Sequence, residues 1–310
     1  MINIALDTYT SRRALQNYQT KVAQKSLMVL PATHFSVEEL TDAYNQTRVD
    51  YIIPMPMTAA RLQEYIDAYD IDLTASYVAL DTPSRAMLGL GMLGVREGRS
   101  WVTRLGVLPA SRGRGVGQII MERLVLESNR REFPHIWLEV IKGNAPAHTL
   151  FQKMGFVETR ELIVARRAPA PVVVANELAA EAAVCELNAA ELTTRLAARQ
   201  GRPNWLNENE TFTHVPQLKG LELRWADGSA GWVVYEDARL QMKRITVGVE
   251  AGEPLGVATA VLHQLHRQNP IKDSISENIP EGDPLWPAYE ANGYFDSFRR
   301  VEMLKQGGIG

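Results

Sequence analysis

PASRGRGVGQII, residues 109–120, sets three glycines and two arginines directly ahead of an apolar run. Upstream, WVTRLGVL has the make-up of a strand. Downstream, the spacing from Gly117 to Asn129 predicts a helix, with Ile120 and Leu124 on one face and Met121 and Val125 beside it. The stretch is therefore a strand-to-helix turn. Free amides and aligned peptide dipoles at a helix start favour an anion. Glycines let backbone approach such a group closely because no Cβ intervenes, and Arg112 and Arg114 add charge that pairs with phosphate oxygens. Two phosphate motifs do not fit. A Walker A loop needs Lys-Ser/Thr after its last glycine, where Gln118 and Ile119 stand. A dinucleotide fingerprint needs G-x-G-x-x-G, but its last position is Gln118 counted from Gly113 and Ile120 counted from Gly115. On these residues alone a basic surface loop remains the alternative.

Working outward, LMVLPA reads as a strand. FSVEELTDAYNQ reads as a helix opened by Ser36, with Glu39 completing a capping box. MTAARLQEYIDAY gives a second helix, and SYVAL and MLGLGMLGV give strands. Beyond the turn come the strand HIWLEV, the helix PAHTLFQKM stopped by Gly155, and the strand FVETRELIVAR. RRAPAPVVV, Arg166–Val174, reads as a stiff linker. After it the pattern predicts one helix over Asn176–Arg199, then strands LELRW, GWVVY and LQMKRITVGV and a helix LGVATAVLHQLHRQ. PAYEANGYFDSFRRVEML closes the chain as a short helix and a strand. The first 26 residues are polar and compatible with one helix, without an assigned role.

The two halves resemble each other. LFQKMGF (150–156) aligns with AYEANGY (288–294) at an offset of 138, which sets Gly155 on Gly293 and Pro146 on Pro284. RLGV (104–107) likewise matches RITV (244–247). A diverged internal duplication with a boundary near residue 170 follows, in keeping with two domains for 310 residues. Charge divides unevenly. Residues 1–167 hold 20 basic and 17 acidic residues, a balance of +3, and residues 168–310 hold 13 and 19, a balance of −6. That excess is too small for a nucleic-acid footprint, so no nucleic-acid partner is expected. The single Cys185 forms no internal disulfide. No apolar run approaches a membrane span and no secretory signal opens the chain, so the expectation is a cytoplasmic protein without membrane association.

R-x-x-G-x-G, here Arg112 to Gly117 after LGVLP, resembles the pyrophosphate loop of the GNAT superfamily of acyl-CoA-dependent N-acyltransferases. LEVIKGNAPAHTLFQKMGF (138–156) resembles the next segment of that superfamily. The resemblance implies an α/β (α+β) fold of two GNAT-like domains, each a mixed, mostly antiparallel sheet with helices on both faces. Their bounds would be 27–167, binding the cofactor, and 175–310, degenerate, after an extension over 1–26. It implies acetyl-CoA as donor and no metal. Leu105, Gly106 and Val107 would bind pantetheine, and Arg112, Gly113, Arg114, Gly115, Val116 and Gly117 the pyrophosphate. An N–H near Val107 or Leu108 would polarise the thioester. Asn144 would contact the cofactor arm, or else serve only as the turn residue before a helix. Glu139 would be the general base, or else a strand glutamate facing solvent or paired with a neighbouring arginine. Phe151 stands where the family often has a tyrosine acid, beside the cofactor.

The second half has no such loop. Glu250 and Glu253 stand where arginines would help, and Pro254 lacks an amide donor. It keeps Tyr289 opposite Phe151 and Glu277 opposite Glu139, with Tyr289 read chiefly as a core residue. His263 and His266, three apart, lack a third ligand at matching spacing. Trp205, Trp225, Trp232 and Trp286 read as core. The expected function is N-acetyl transfer to a primary amine of a small molecule or peptide, by a monomer or homodimer. The alternative is a catalytically silent acyl-CoA-binding regulator.

Overall fold

A computed structural model describes residues 27–173 and 175–308, so the expected helix in the first 26 residues lies outside the described part. The chain divides into two compact units: Met1–Leu138 with Pro146–Val157 and Leu304–Gly310, and Glu139–Ala145 with Glu158–Met303.

In the first unit the elements run β1 (Leu27–Pro31), α1 (Val37–Gln46), α2 (Ala59–Ala68), β2 (Tyr77–Asp81), β3 (Met87–Arg96), β4 (Arg99–Val107), α3 (Val116–Arg130) and β5 (His135–Ile141, as far as Leu138), then α4 (Ala145–Lys153, from Pro146). Strand order is β1-β2-β3-β4-β5. The first three pairings are antiparallel and β4–β5 is parallel, as the intervening helix requires. Ser36 and Glu39 form the expected capping box on α1. The glycines of MLGLGMLGV serve close packing. A Cβ on Gly91 would lie 2.7 Å from Cγ2 of Ile120, so α3 sits almost on the β3 backbone. Ile120, Met121 and Leu124 are fully buried there.

The second unit holds β6 (Val157–Arg167, from Glu158), α5 (Glu177–Glu181), β7 (Ala183–Glu186), α6 (Ala189–Ala197), α7 (Asn209–Thr213), β8 (Leu218–Arg224), β9 (Ala230–Asp237), β10 (Gln241–Ala251), α8 (Pro254–Gln268), β11 (Asp273–Pro280), α9 (Trp286–Ala291) and most of β12 (Phe295–Gln306). Its order is β12-β6-β11-β10-β9-β8-β7, with β10–β11 parallel. Three features differ from the sequence expectation. The long helix over Asn176–Arg199 is broken, because β7 pairs with β8 from Ala183↔Arg224 to Glu186↔Leu221. The signal was two asparagine caps, Asn176 and Asn188, each starting its own helix. The segment DSISENIP is a strand that the composition hides, since three of its four buried residues, Ser274, Ser276 and Asn278, are polar. The Ser276 hydroxyl donates to the Ile245 carbonyl at 2.8 Å. Finally, residues 158–167, expected with the first domain, group with the second unit, where β6 pairs with β11 from Arg167↔Ser274 to Leu162↔Pro280.

The duplication is visible bond by bond. Phe156 N–H donates to the Phe151 carbonyl at 3.0 Å, and Tyr294 N–H to that of Tyr289 at 3.1 Å. Gly155 and Gly293 end their helices at φ +85° and +84°, values that favour glycine. Arg104 and Arg244 sit at matching bulges with φ +53° and +51°.

Candidate active site

The glycine turn leads from β4 into α3. Gly113 and Gly115 have φ +74° and +83°, and a Cβ on either would meet nothing within 4 Å. Left-handed backbone thus selects glycine, and the side a ligand would take is open. Gly115 is the N-cap of α3 and no side chain caps the helix, so the first-turn amides are left for an external acceptor. Val116 is buried, Arg114 is exposed, and Gly117 lies close over Val107. Arg112 is engaged by the chain itself. Its guanidinium binds both oxygens of Asp50 at 2.7 Å, and its Nη2 and Nε donate to the carbonyls of Thr47 and Val107, each at 3.2 Å. Arg112 holds the Asp50 carboxyl below the usual range and ties the turn to the segment after α1.

Pairing of β4 with β5 stops at Val102↔Leu138, while β4 runs on to Val107. The Leu108 N–H donates to the Leu88 carbonyl at 2.9 Å, so it is committed to β3 and cannot serve a thioester. With the two-residue period of a strand, Leu105 and Val107 turn their N–H and C=O groups to the other, unpaired edge. Their carbonyls already accept side-chain bonds, Leu105 from Arg48 Nη2 at 3.3 Å and Val107 from Arg112. Their amides are the groups that remain for a ligand strand. Gly106 is set by close approach, since a Cβ there would fall 2.3 Å from Oγ1 of Thr47.

Glu139 lies in the second unit, on the last residues of β5. Its side chain is 6% exposed. Asn278 Nδ2 donates to Oε2 at 2.8 Å, and Arg300 Nη1 stands 3.7 Å from the same oxygen. Burial raises the carboxyl to about 7, against the pull of Arg300 and Asn278, with Glu302 and Glu277 adding to the rise. Arg300 also donates to Asn278 Oδ1 at 2.8 Å and to Glu277 Oε2 at 2.6 Å. The two glutamates matched by the duplication therefore share one guanidinium. Asn278 and Arg300 carried no sequence signal. Asn144, also in the second unit, is half-buried just before α4, and its N–H donates to the Ile141 carbonyl at 3.0 Å. In the first unit Phe151 is buried edge-on to Phe156, with ring centroids 6.2 Å apart.

The equivalent helix start in the second unit is filled by its own chain. The Glu253 carboxylate accepts from the Leu255 and Gly256 amides at 3.0 and 2.6 Å, taking the place an anion would occupy on α8. Replacing Glu253 with Ala should cost about 1 kcal/mol of stability in chemical denaturation, the usual worth of such a cap. Glu250 pairs with Arg195. Tyr289 is core, its hydroxyl buried and donating to the Ile245 carbonyl at 3.3 Å, with burial pushing it far above the ordinary tyrosine range. His266 is fully buried against the Tyr294 hydroxyl at 3.1 Å, and burial lowers it to about 3. Among the described residues no group of three His, Cys, Asp or Glu side chains could hold a metal. No helix there is long and apolar enough to cross a membrane.

Strand, glycine turn and uncapped helix are set in a mixed and mostly antiparallel sheet, in an α/β domain. Residues 40–156 match the model of the acetyltransferase (GNAT) family, and the chain carries a GNAT acetyltransferase domain. Streptothricin acetyltransferase of Streptomyces lavendulae is 33% identical over 87 residues, covering 24% of this chain; the match spans 46% of that relative's length. A GCN5-related N-acetyltransferase from Sphaerobacter thermophilus shares the fold at TM-score 0.68 and 16% identity, covering 92% of this chain and 97% of its own. A tandem GNAT protein from the clavulanic acid biosynthesis pathway does so at TM-score 0.62 and 13% identity, covering 92% and 99%. GNAT enzymes use acyl-CoA donors and amine acceptors.

Proposed function

We propose that the chain transfers an acetyl group from acetyl-CoA to a primary amine of a small molecule or peptide, by direct attack on the thioester in a ternary complex. The observation that carries this reading is the open, glycine-capped start of α3 beside the unpaired edge of β4, within the matched family domain. Amides of the Gly113–Gly117 turn receive the pyrophosphate, and Arg112, held by Asp50, fixes the shape of the turn. Leu105 and Val107 receive pantetheine along their free edge, a ligand form of strand addition. The Val107 N–H polarises the thioester carbonyl. Asn144 contacts the cofactor arm. Glu139 acts as general base: an amine of pKa about 10.4 needs roughly 4–5 kcal/mol to lose its proton at pH 7, and a carboxyl raised to about 7 accepts protons over the working range.

A second reading, an acyl-CoA-binding regulator, is favoured by Phe151, which has no proton to give a departing thiolate. That deficit is small, because a thiol of pKa about 8.5 gains only about 1.4 kcal/mol from protonation at pH 7.5. Two measurements decide. Acetyl-CoA should raise the melting temperature, and an absence of any shift with acetyl-CoA or CoA would sink both readings. Thiol release over a panel of amines, amino-acid conjugates and peptides should show amine-dependent turnover; binding without turnover across the panel favours the regulator.

A further inference from the structure

We propose that Asn278 and Arg300 of the second repeat are positioning residues for Glu139: the Asn278 amide fixes the Glu139 carboxyl, and Glu277 draws Arg300 away from it. This rests on the acyl-transfer reading above, in which Glu139 is the base. All four residues lie in the second unit. Arg300 can only donate, so the Asn278 oxygen faces it, 2.8 Å from Nη1. That turns Asn278 Nδ2 to Glu139, where it donates to Oε2 at 2.8 Å. The Arg300 contact, at 3.7 Å, falls on the same oxygen. Oε1 is thus the oxygen left to receive a proton.

The backbone aims Asn278. The residue is 1% exposed and stands at φ +64°, on the bulge between Ser276 and Ile279 in the pairing of β11 with β6. Left-handed backbone admits asparagine more readily than most side chains, and a bulge re-aims the side chain it carries. Two further amides pin the strand there. Asn204 Nδ2 donates to the Asn278 carbonyl at 3.0 Å, and Asn207 Nδ2 to that of Glu277 at 2.8 Å. At the offset of 138 the first repeat has Val140 and Leu162 in place of Asn278 and Arg300, both apolar and buried. A buried amide costs desolvation unless it is bonded, and what Asn278 bonds is the glutamate of the other repeat.

The charges around Glu139 give a neutral amide its use. Arg300 gives Nη2 to Glu277 at 2.6 Å. Glu302 on β12 is answered by Arg160 of β6 at 2.9 Å and by Arg202. Lys142, further along β5, is answered by Glu161 at 2.6 Å. A guanidinium bound directly to Glu139 would hold its carboxyl ionised and weakly basic. With Arg300 drawn to Glu277, burial carries the carboxyl up to about 7.

The test titrates the Glu139 carboxyl itself, by carbon-13 NMR of the full chain labelled at glutamate carboxyls, with Glu139→Gln identifying the resonance. Amine-dependent kcat/KM is followed over the same pH range. Asn278→Gly suits φ +64° and removes the amide, so it should raise the midpoint by about one pH unit. Glu277→Gln, at a half-buried side chain, should lower it by about as much, because it removes a negative charge and returns Arg300 to Glu139. The acid limb of kcat/KM should move with the midpoint in both variants. A merely structural role would lower kcat at every pH and leave both midpoints at the wild-type value, and that result overturns the proposal. So does a shift of the same sign in both. If Asn278→Gly does not fold, Glu277→Gln decides alone, by a fall in the midpoint or by its absence. If the wild-type chain shows no amine-dependent turnover, the acyl-transfer reading fails, and the carboxyl titration still decides whether Asn278 and Glu277 govern Glu139.

Discussion

Glu139→Gln is expected to lower amine-dependent turnover about a hundredfold, the usual range for loss of a general base, and to flatten the pH profile. The wild-type kcat/KM should rise as pH rises through about 7, where the Glu139 carboxyl ionises, and the variant should lack that limb. Stability moves the opposite way. A carboxyl whose folded pKa is raised holds its proton in the native state while the unfolded chain has released it. Its contribution is therefore full below the unfolded value of 4.5 and is lost as pH rises to about 7. The shift corresponds to roughly 3 kcal/mol as an upper bound. Glu139→Gln should thus unfold no more easily than wild type at pH 8, and more nearly independently of pH between 5 and 8. A drop in activity in a protein that is at least as stable separates chemistry from folding. Unchanged turnover, or a variant that keeps the limb near neutral pH, would remove Glu139 from the mechanism.

Gly115→Asp is expected to weaken acetyl-CoA binding by about a hundredfold or more, through a like charge and a Cβ placed where an anion must approach. The two units already contain the contrast. The first leaves its helix start open behind a left-handed glycine, and the second fills the same position with the Glu253 carboxylate. The substitution also forces a side chain onto φ +83°, costing about 1–2 kcal/mol in stability. Gly201→Asp controls for that cost, since Gly201 has φ +82° and equally open space. It should lose similar stability and keep the acetyl-CoA thermal shift. Equal loss of the shift in both variants would mean that strain, and not the anion site, is responsible.

Most of the local architecture was legible in the sequence because it depends on short-range rules. Ser36 and Glu39 announced α1, and every strand except β7 and β11 was read from a short stretch of sequence. β11 escaped because its buried residues are mostly polar, and hydrophobic periodicity does not register buried serines and asparagine. β7 escaped because an alanine-rich segment favours helix until β8 offers it a partner. The glycine turn was legible for a similar local reason: backbone at φ +74° and +83° demands glycine, whatever lies beyond it.

Partners were another matter. The sequence by itself determined the turn, its flanking strand and helix, and the repeat of Gly155 in Gly293. Only the tertiary structure decided where charges meet, because that depends on residues far apart in the chain. It turned Arg112 onto Asp50, committed the Leu108 amide to Leu88, and placed Glu139 beside Asn278 and Arg300. It also gathered β6 with β11 and set Arg48 and Arg104 over one tyrosine. A turn is specified by the backbone angles of a few neighbouring residues; a charge is specified by whatever the fold brings within a few ångströms of it.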